Sequence, residues 1–290
     1  MKWKKERPYM LFLVPAVLVY SVFLILPMLL SFYYALTDWD GLAVDMNFIG
    51  LRNFTYMFQD EGFRIAIRNT LIFVVMDIVI QNLLGLAFAL LLECKIKTKN
   101  LLRAFYFIPV IMAPIVVSFI WTYLYRYDGG LFNTLLGFLG IGSVDYIGNP
   151  QYAIYFVILS EIWQWFSYRM IIYVAGLKNI PGELYEAAHM DGAGKIKSFF
   201  HVTVPMLIPS ISINVMLCTI GALKQFDIVF TMTQGGPGYA TEVITTKIYR
   251  EAFSNMDMGY GTAIGVVLFA FILVVTILQN RFFNSREVEI

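Results

Sequence analysis

Charged residues are scarce in this chain of 290 residues: Asp, Glu, Lys and Arg together make up 14%, where an ordinary soluble domain has about 25%. Hydrophobic residues make up 59%, and the mean hydropathy is +0.70. These figures exclude disorder, a nucleic-acid-binding domain and most soluble enzymes. Because so much apolar surface requires lipid as part of its solvent, we expect a membrane protein.

Cysteine and histidine are also rare, with two residues of each. Cys94 and Cys218 are too few for a disulfide framework and lack a spacing typical of zinc ligands, so we expect both to be packing residues. His189 and His201 have no Cys or carboxylate pattern around them. The sequence therefore predicts no metal site.

Six apolar stretches are long enough to cross a hydrocarbon core about 30 Å thick, which takes about 20 residues of helix. They predict transmembrane helices over residues 10–34, 70–92, 104–125, 152–177, 208–232 and 260–279. The first stretch is too long for a signal peptide, and no small-residue cleavage site follows it. The predicted fold is therefore all-α, a single transmembrane domain over 1–290 with six spans.

Prolines in spans one and three and at the entry to span five predict kinks, because proline removes a backbone hydrogen bond. They are Pro15, Pro27, Pro109, Pro114, Pro205 and Pro209. The register of span five stays open. If it covers 205–223, Lys224 and Asp227 lie outside the membrane; if it covers 210–232, they fall in its outer half. Helices predicted in the preceding loop, together with the prolines, favour the second register.

The distribution of Lys and Arg predicts the orientation, since cytoplasmic loops carry the excess. The two terminal segments and the loops after spans two and four have thirteen such residues: Lys2, Lys4, Lys5, Arg7, Lys95, Lys97, Lys99, Arg103, Lys178, Lys195, Lys197, Arg281 and Arg286. The alternate loops have six, or seven with Lys224: Arg52, Arg64, Arg68, Arg126, Lys247 and Arg250. We therefore expect both termini in the cytoplasm.

The predicted cytoplasmic loop over 178–204 has the pattern of two short helices. Pro181 suits a first helical turn, and Gly192 can adopt the left-handed conformation that ends a helix. One helical face has residues spaced i, i+3 and i+4, namely Leu184, Ala187 and Ala188. The second helix would present Ile196, Phe199 and Phe200. Small residues permit close approach to a partner; the alternative is a helix pair lying on the lipid headgroups.

The sequence Glu186-Ala187-Ala188, followed by Gly192 and Pro205, resembles the "EAA" signature of bacterial ABC importer permeases. Flanking residues resemble the carbohydrate-uptake subfamily, of the maltose-permease and glycerol-phosphate-permease type: Ala175-Gly176-Leu177, Ile180-Pro181, Asp191-Gly192-Ala193, Phe226, Thr233-Gln234-Gly235-Gly236-Pro237, Thr241-Glu242, Tyr249 and Phe253. The resemblance is strongest over 176–261. Departures are mild, with valine at 202 and 204 where the family usually has Ile and Leu.

The resemblance implies a permease subunit of an ATP-driven, binding-protein-dependent sugar importer in a bacterial or archaeal cell (inner) membrane. Its implied partners are a second permease, two ATPase subunits, an extracytoplasmic solute-binding protein, a carbohydrate substrate and membrane lipid, and no nucleic acid. The implied ATPase-coupling residues are Glu186, Ala187, Ala188, Asp191, Gly192 and Ala193. ATP and Mg²⁺ would be bound by the ATPase subunits, so this chain is expected to be no enzyme and to hold no cofactor. Gly194-Lys195 fits no phosphate loop, because Ile196 stands where Ser or Thr is needed.

Charges inside apolar spans cost about 2.5–3.5 kcal/mol at the membrane centre, so they usually face protein or water. Asp77, Glu161 and Arg169 are of this kind. Glu161 begins a stretch with Trp163, and tryptophan faces stack on sugar rings while carboxylates bind hydroxyls. An interhelix hydrogen-bond network is the alternative for Glu161. We expect Arg169, which lies nearer the cytoplasm, to be structural.

Polar residues just before the Gly-Gly-Pro loop contribute to the sugar site in the maltose-type relatives. The predicted substrate path accordingly comprises Asp77, Glu161, Trp163, Lys224, Gln225 and Asp227. A Lys–Asp pair would suit a polar or acidic sugar without naming it. The loop itself predicts a contact with the binding protein through Gly235, Gly236 and Pro237; the alternative is an ordinary surface turn.

Two other classes compete with an importer subunit. An ATP-independent secondary transporter or channel would have no use for the elaborate 186–192 loop, and a bulky residue in place of Ala188 would leave it active. An intramembrane hydrolase is disfavoured, because the chain has no Gly-x-Ser-x-Gly element or paired catalytic histidine.

Overall fold

The computed structural model describes residues 3–43, 45–93 and 98–285, with side chains from residue 12 onward. Cys94 and the basic residues at 2, 95, 97 and 286 lie outside this part of the chain. The α-helices are α1 (Trp3–Tyr20), α2 (Leu26–Tyr34), α3 (Arg52–Met57), α4 (Glu61–Met76), α5 (Asn82–Glu93), α6 (Lys99–Ile111), α7 (Pro114–Leu124), α8 (Leu131–Phe138), α9 (Ala153–Lys178), α10 (Gly182–Met190), α11 (Lys195–Ser198), α12 (Val204–Met206), α13 (Ile208–Leu223), α14 (Asp227–Thr233), α15 (Ile244–Tyr249) and α16 (Met258–Asn284). Four π-helical segments interrupt them, at Ser21–Ile25, Asp77–Gln81, Phe199–Thr203 and Arg250–Ser254.

The predicted all-α class is confirmed. Within the described ranges there is no β-strand, and the one extended pairing is an antiparallel bridge between Thr37 and Phe48. Three continuous helical stretches are long and apolar enough to cross a membrane, namely Phe12–Tyr34, Glu61–Glu93 and Met258–Asn284. Two bent helix pairs raise that number to five if each crosses as one span.

The bends lie in two of the three spans in which prolines predict kinks, namely spans three and five, whereas span one is continuous over Phe12–Tyr34. Helices α6 and α7 meet at 97°, and the segment Lys195–Met206 meets α13 at 65°. Ala113 adopts an extended conformation because it precedes Pro114, whose ring disfavours the helical conformation of the residue before it. The sequence predicts one span over 104–125, and the structure has two helices there.

The prediction of one continuous helix over 208–232 is wrong. Helix α13 ends at Leu223, and α14 begins at Asp227. Phe226, in the linker between them, has the non-helical φ of −131°. The carbonyl of Gln225 accepts a hydrogen bond from the hydroxyl of Thr245 rather than from the next helical turn. A tertiary contact therefore stabilises a break that local sequence does not show.

The chain has two compact units. The first comprises Met1–Glu61 and Lys247–Phe269, and the second comprises Gly62–Thr246 and Ala270–Ile290. The first unit has a buried charge cluster: Lys247 Nζ lies 2.9 Å from Asp60 and 2.7 Å from Glu251. The hydroxyl of Tyr260 donates to Asp60 at 2.7 Å. Charges are tolerated in a buried site when they are paired, as these are. Because its residues come from different elements, the cluster joins α15 and the start of α16 to the chain before α4.

The second unit is built on the contact between α5 and α9. Its core consists of apolar side chains from α5, α9 and the residues that follow: Ala89, Leu92, Met170, Tyr173, Val174, Ile180 and Leu207. The close approach depends on Gly85. A Cβ atom there would lie 2.8 Å from Cβ of Arg169 and 3.1 Å from the backbone nitrogen of Met170.

We expect Gly85→Ala to lower the free energy of unfolding by about 1–3 kcal/mol, because an added methyl group overpacks the α5–α9 contact. Thermal unfolding of the purified protein measures the change. Gly137→Ala is the matched control, since Gly137 is an exposed helical glycine with open space around its Cβ position. Equal stability of the two variants would show that α5 and α9 do not approach as closely as described.

Candidate functional site

A polar cavity of about 320 Å³ lies inside the second unit. Such a volume is at the lower end of the range of about 300–1,000 Å³ that is usual for small-molecule sites. The cavity is lined mainly by the Asp77–Gln81 segment, α9, the last turns of α13 and the residues just before and at the start of α14. Its polar lining comes mostly from Asp77, Gln81, Glu161, Arg169, Gln225 and Asp227.

Helical spacing explains why α9 supplies much of this lining. Glu161, Trp165 and Arg169 are four residues apart and therefore share one face. Asp77 and Gln81 have the same spacing on the opposing segment. Because α5 follows that segment and packs tightly on α9, these two polar faces meet.

The charges in the cavity are buried and only partly paired. Asp77, Glu161 and Arg169 are 3%, 7% and 7% exposed. Arg169 Nε donates to Oε1 of Gln81 at 3.2 Å. One oxygen of each buried acid, Oδ1 of Asp77 and Oε2 of Glu161, has no hydrogen-bond partner. Buried polar atoms are nearly always paired, so these two unsatisfied acceptors are unusual for groups buried so deeply.

The structure brings four of the six predicted path residues together: Asp77, Glu161, Gln225 and Asp227. Lys224 is exposed and does not line the cavity, because α13 ends before it. Trp163 does not line the cavity either. It follows Glu161 by two positions, which corresponds to a rotation of about 200° around the axis of α9. The indole that lines the cavity is that of Trp165.

The sequence prediction did not include Gln81 and Tyr168, which line the cavity together with Arg169. A signal was present in the sequence for part of this set. The i, i+4, i+8 spacing of Glu161, Trp165 and Arg169 marks one polar face on an otherwise apolar helix.

A larger cavity of about 700 Å³ lies on the other side of α9. Trp163 lines it, with its ring 5.5 Å from that of Trp121, and most of the remaining lining is aromatic or aliphatic. Such a surface cannot replace the hydration of sugar hydroxyls, because burying an unpaired hydroxyl costs about 1–3 kcal/mol. The smaller polar cavity is therefore the better site for a polar solute.

Side-chain hydrogen bonds hold the Gly-Gly-Pro loop in the second unit. The side-chain amide of Asn69 donates to the backbone carbonyls of Tyr239, Ala240 and Glu242 at 3.3, 3.0 and 3.0 Å. Thr241 Oγ1 donates to the Gly236 carbonyl at 2.7 Å. The loop conformation is thus defined from two sides.

The three residues predicted to contact a binding protein differ in their exposure to solvent. Gly235 is buried, while Gly236 and Pro237, which are joined by a cis peptide bond, are half-buried. The exposed residues are Gln234 before these three positions and Gly238 and Tyr239, at the tip, after them. Gly235 therefore supports the loop, and its neighbours form the accessible surface.

We expect Asn69→Asp to loosen this loop, because a carboxylate cannot donate and each carbonyl left unpaired in a buried site costs about 1–3 kcal/mol. Hydrogen exchange should increase over residues 234–242. Asn100→Asp is the control, since Asn100 is an exposed asparagine on α6. Unchanged exchange in Asn69→Asp would mean that these bonds do not hold the loop.

The predicted helix pair in the 178–204 loop is present. Helix α10 covers Gly182–Met190, and Gly192 has a φ of +75°, which confirms the left-handed end. The amide of Ala193 donates to the Ala188 carbonyl at 2.9 Å. The hydroxyl of Tyr185 bonds that of Thr203 at 2.9 Å, which ties α10 to the segment that follows α11.

This helix pair presents an exposed surface. Helix α10 has no buried residue, and Glu186, Ala187, Asp191 and Gly192 are exposed, with Ala188 and Ala193 half-buried. Large apolar side chains project from it, with Met190, Ile196 and Phe200 exposed to 86%, 76% and 61%. A groove of about 480 Å³ lies beside them. Exposed apolar patches of this kind mark interaction surfaces.

Residues 81–287 match the family described as binding-protein-dependent transport system inner membrane component. The chain is 36% identical to the probable ABC transporter permease protein YurN of Bacillus subtilis, with 98% of each chain covered. It is 33% identical to the trehalose/maltose transport system permease protein MalF of Thermococcus litoralis, over 99% of this chain and 97% of that one.

A bacterial ABC transporter involved in the import of the acidic polysaccharide alginate has a chain of the same fold in its crystal structure. The TM-score is 0.85 at 22% identity, with 97% of this chain and 96% of that chain covered. At this identity the likeness establishes the fold, and cargo has to be argued from the residues of the site.

Proposed function

The chain belongs to the family of binding-protein-dependent transport system inner membrane components, and from that premise we propose that it is a permease subunit of a sugar importer. It is a multi-pass membrane protein and not an enzyme, since ATP hydrolysis in ABC importers belongs to a separate ATPase. The observation that carries the proposal is the polar cavity inside an apolar helical body. Relatives named for trehalose, maltose and multiple sugars support a saccharide as the cargo.

The polar cavity forms this subunit's part of the translocation path. The side chains of Asp77 and Glu161 line this path as hydrogen-bond acceptors for sugar hydroxyls, and Gln225 can both donate and accept. The half-buried indole of Trp165 offers an apolar face to a sugar ring. The 320 Å³ volume suits a small saccharide or one end of a longer one.

Six membrane spans follow if three continuous stretches, two bent pairs and α9 each cross once. The buried Glu161 and Arg169 make α9 less apolar than the other spans, yet both charges face the cavity and not lipid. With thirteen basic residues on one side against six or seven on the other, both termini face the cytoplasm. This orientation places α10 inside and the Gly-Gly-Pro loop outside.

Helix α10 and the residues after it form the docking surface for the ATPase subunits. The small exposed side chains at 187 and 192 let the helix seat deeply, and Glu186 can pair with a basic residue of the partner. ATP and Mg²⁺ are bound by those subunits. The complex would comprise this chain, a second permease and two ATPase subunits.

Outside the membrane, a solute-binding protein presents the sugar to the complex. A structural neighbour is an alginate transporter in complex with a pentasaccharide-bound periplasmic protein, which supports a binding-protein partner in general. On this chain the loop held by Asn69, with Gly238 and Tyr239 at its tip, is the surface we assign to that contact.

The test is the ATPase rate of the reconstituted complex with and without the liganded binding protein. A calorimetric screen of mono-, di- and oligosaccharides, polyols and sugar phosphates first identifies the ligand of that binding protein. We expect the liganded protein to stimulate ATP hydrolysis at least severalfold. A rate that the binding protein leaves unchanged would contradict the proposed function.

A further inference from the structure

The polar cavity has an excess of acidic side chains. Asp77, Glu161 and Asp227 line it, whereas Arg169 is the one basic residue among its described lining. The formal charge of these four side chains is −2, from three carboxylates and one guanidinium. Asp227 is exposed at the rim, and the other three are more than nine-tenths buried.

The single guanidinium is already engaged. Its Nε donates to Gln81, and its central carbon lies 5.4 Å from the ring centre of Tyr168. It lines the same cavity as the buried carboxyl groups of Asp77 and Glu161. An incoming anion would therefore have to compete with two fixed carboxylates for one cation.

The sequence alone predicts a Lys224–Asp227 pair, which would suit a polar or acidic sugar. The structure removes that basis, because Lys224 does not line the cavity and Asp227 does. At the same time, Oδ1 of Asp77 and Oε2 of Glu161 lack partners, although both groups are buried. Atoms of this kind accept from hydroxyl or ammonium donors and have nothing to offer a carboxylate or phosphate.

From this arrangement we infer that the cavity admits uncharged or amino-bearing saccharides and rejects uronates and phosphorylated sugars. The inference rests on the proposed function, since it assigns a cargo class to the same site. The fold shared with an importer of acidic polysaccharide therefore does not carry that cargo over to this chain.

The experiment measures direct binding of three disaccharides to the assembled, nucleotide-free complex in lipid nanodiscs without the binding protein. The probes are maltose, the glucosamine dimer and digalacturonate. Saturation-transfer-difference NMR measures the binding of each one. We expect maltose and the glucosamine dimer to bind, and digalacturonate to bind at least tenfold more weakly. Leaving out the binding protein keeps its own selectivity from entering the result.

Two charge-reversal variants test whether the charge of the cavity lining causes the preference among the three probes. Asp227→Lys should raise digalacturonate binding about tenfold relative to maltose and weaken the glucosamine dimer, because it changes the formal charge of the lining from −2 to zero. Asp227 is exposed, so the substitution leaves the core intact. Asp128→Lys is the matched control, an exposed carboxylate outside the cavity, and should shift neither ratio.

Three results would overturn the inference: equal binding of digalacturonate and maltose, an equal shift in both lysine variants, or no binding of any probe by a complex whose ATPase responds to its binding protein. The ATPase rate of the same samples distinguishes a failure of the cargo-class inference from a failure of the proposed function. A stimulated ATPase with the wrong charge preference refutes the cargo class alone. An ATPase that the binding protein does not stimulate refutes the importer assignment.

Discussion

Replacing Ala187 by Trp is expected to uncouple the complex, lowering binding-protein-stimulated ATP hydrolysis and sugar uptake at least tenfold while the chain still assembles in the membrane. Ala187 is exposed on α10, which has no buried residue, so an indole there disturbs little within this chain. It does prevent the helix from seating closely in a partner. Loss of a well-packed interface position costs about 2–4 kcal/mol, which corresponds to at least a tenfold loss of docking.

The control for this variant is Ala187→Ser, which keeps the side chain small and should leave stimulation close to that of the unaltered protein. Assembly is checked by co-purification of the second permease. Full stimulation in Ala187→Trp would show that α10 does not dock closely on an ATPase. Equal loss in both variants would indicate a disturbed helix and not a steric block at an interface.

Arg169→Leu is expected to lower the free energy of unfolding by about 3–5 kcal/mol, the largest effect on stability that we predict. The guanidinium is buried beside Asp77 and Glu161. Its removal leaves two carboxylates in an apolar helical body without a compensating charge. Thermal unfolding of the purified complex, followed by circular dichroism, measures the loss.

A second substitution tests whether the charge is the cause. Adding Asp77→Asn to Arg169→Leu removes one uncompensated carboxylate, so the double variant should regain a substantial part of the lost stability. Arg64→Leu, at an exposed position on α4, should cost less than about 1 kcal/mol. If the double variant were less stable than Arg169→Leu, lost packing and not lost charge would explain the effect.

Local features of the fold were predictable from sequence. The spacing of Leu184 and Ala187 predicts α10, and Gly192 has the left-handed conformation expected of a glycine that ends a helix. Both depend on residues within a few positions of each other. The same holds for the bend at Pro114, since proline disfavours the helical conformation of the residue before it.

Features that depend on distant residues were not predictable. The break before Asp227 is stabilised by the hydroxyl of Thr245, about twenty residues further along the chain. Asn69 holds a loop more than 170 residues away, so nothing near it in the sequence indicates that role.

Most of the charged residues of the cavity could be identified from the sequence, because they interrupt apolar stretches. Helical geometry determines which of two neighbouring tryptophans lines the cavity. Trp163 and Trp165 are equally suited to a sugar by chemistry, but Trp165 alone shares the face of Glu161 and Arg169. Applying the i, i+4 rule to α9 would have selected it from the sequence. The position of Lys224 outside the cavity lining could not be predicted from the sequence, because it depends on where α13 ends.

The most direct test of the account is uptake of a labelled saccharide into proteoliposomes that contain the complex, using the sugar selected by the binding protein. We predict accumulation that requires both the binding protein and hydrolysable ATP on the α10 side, with none when a non-hydrolysable ATP analogue replaces ATP. Equal uptake without ATP, driven by an imposed ion gradient, would contradict the account and identify a secondary transporter.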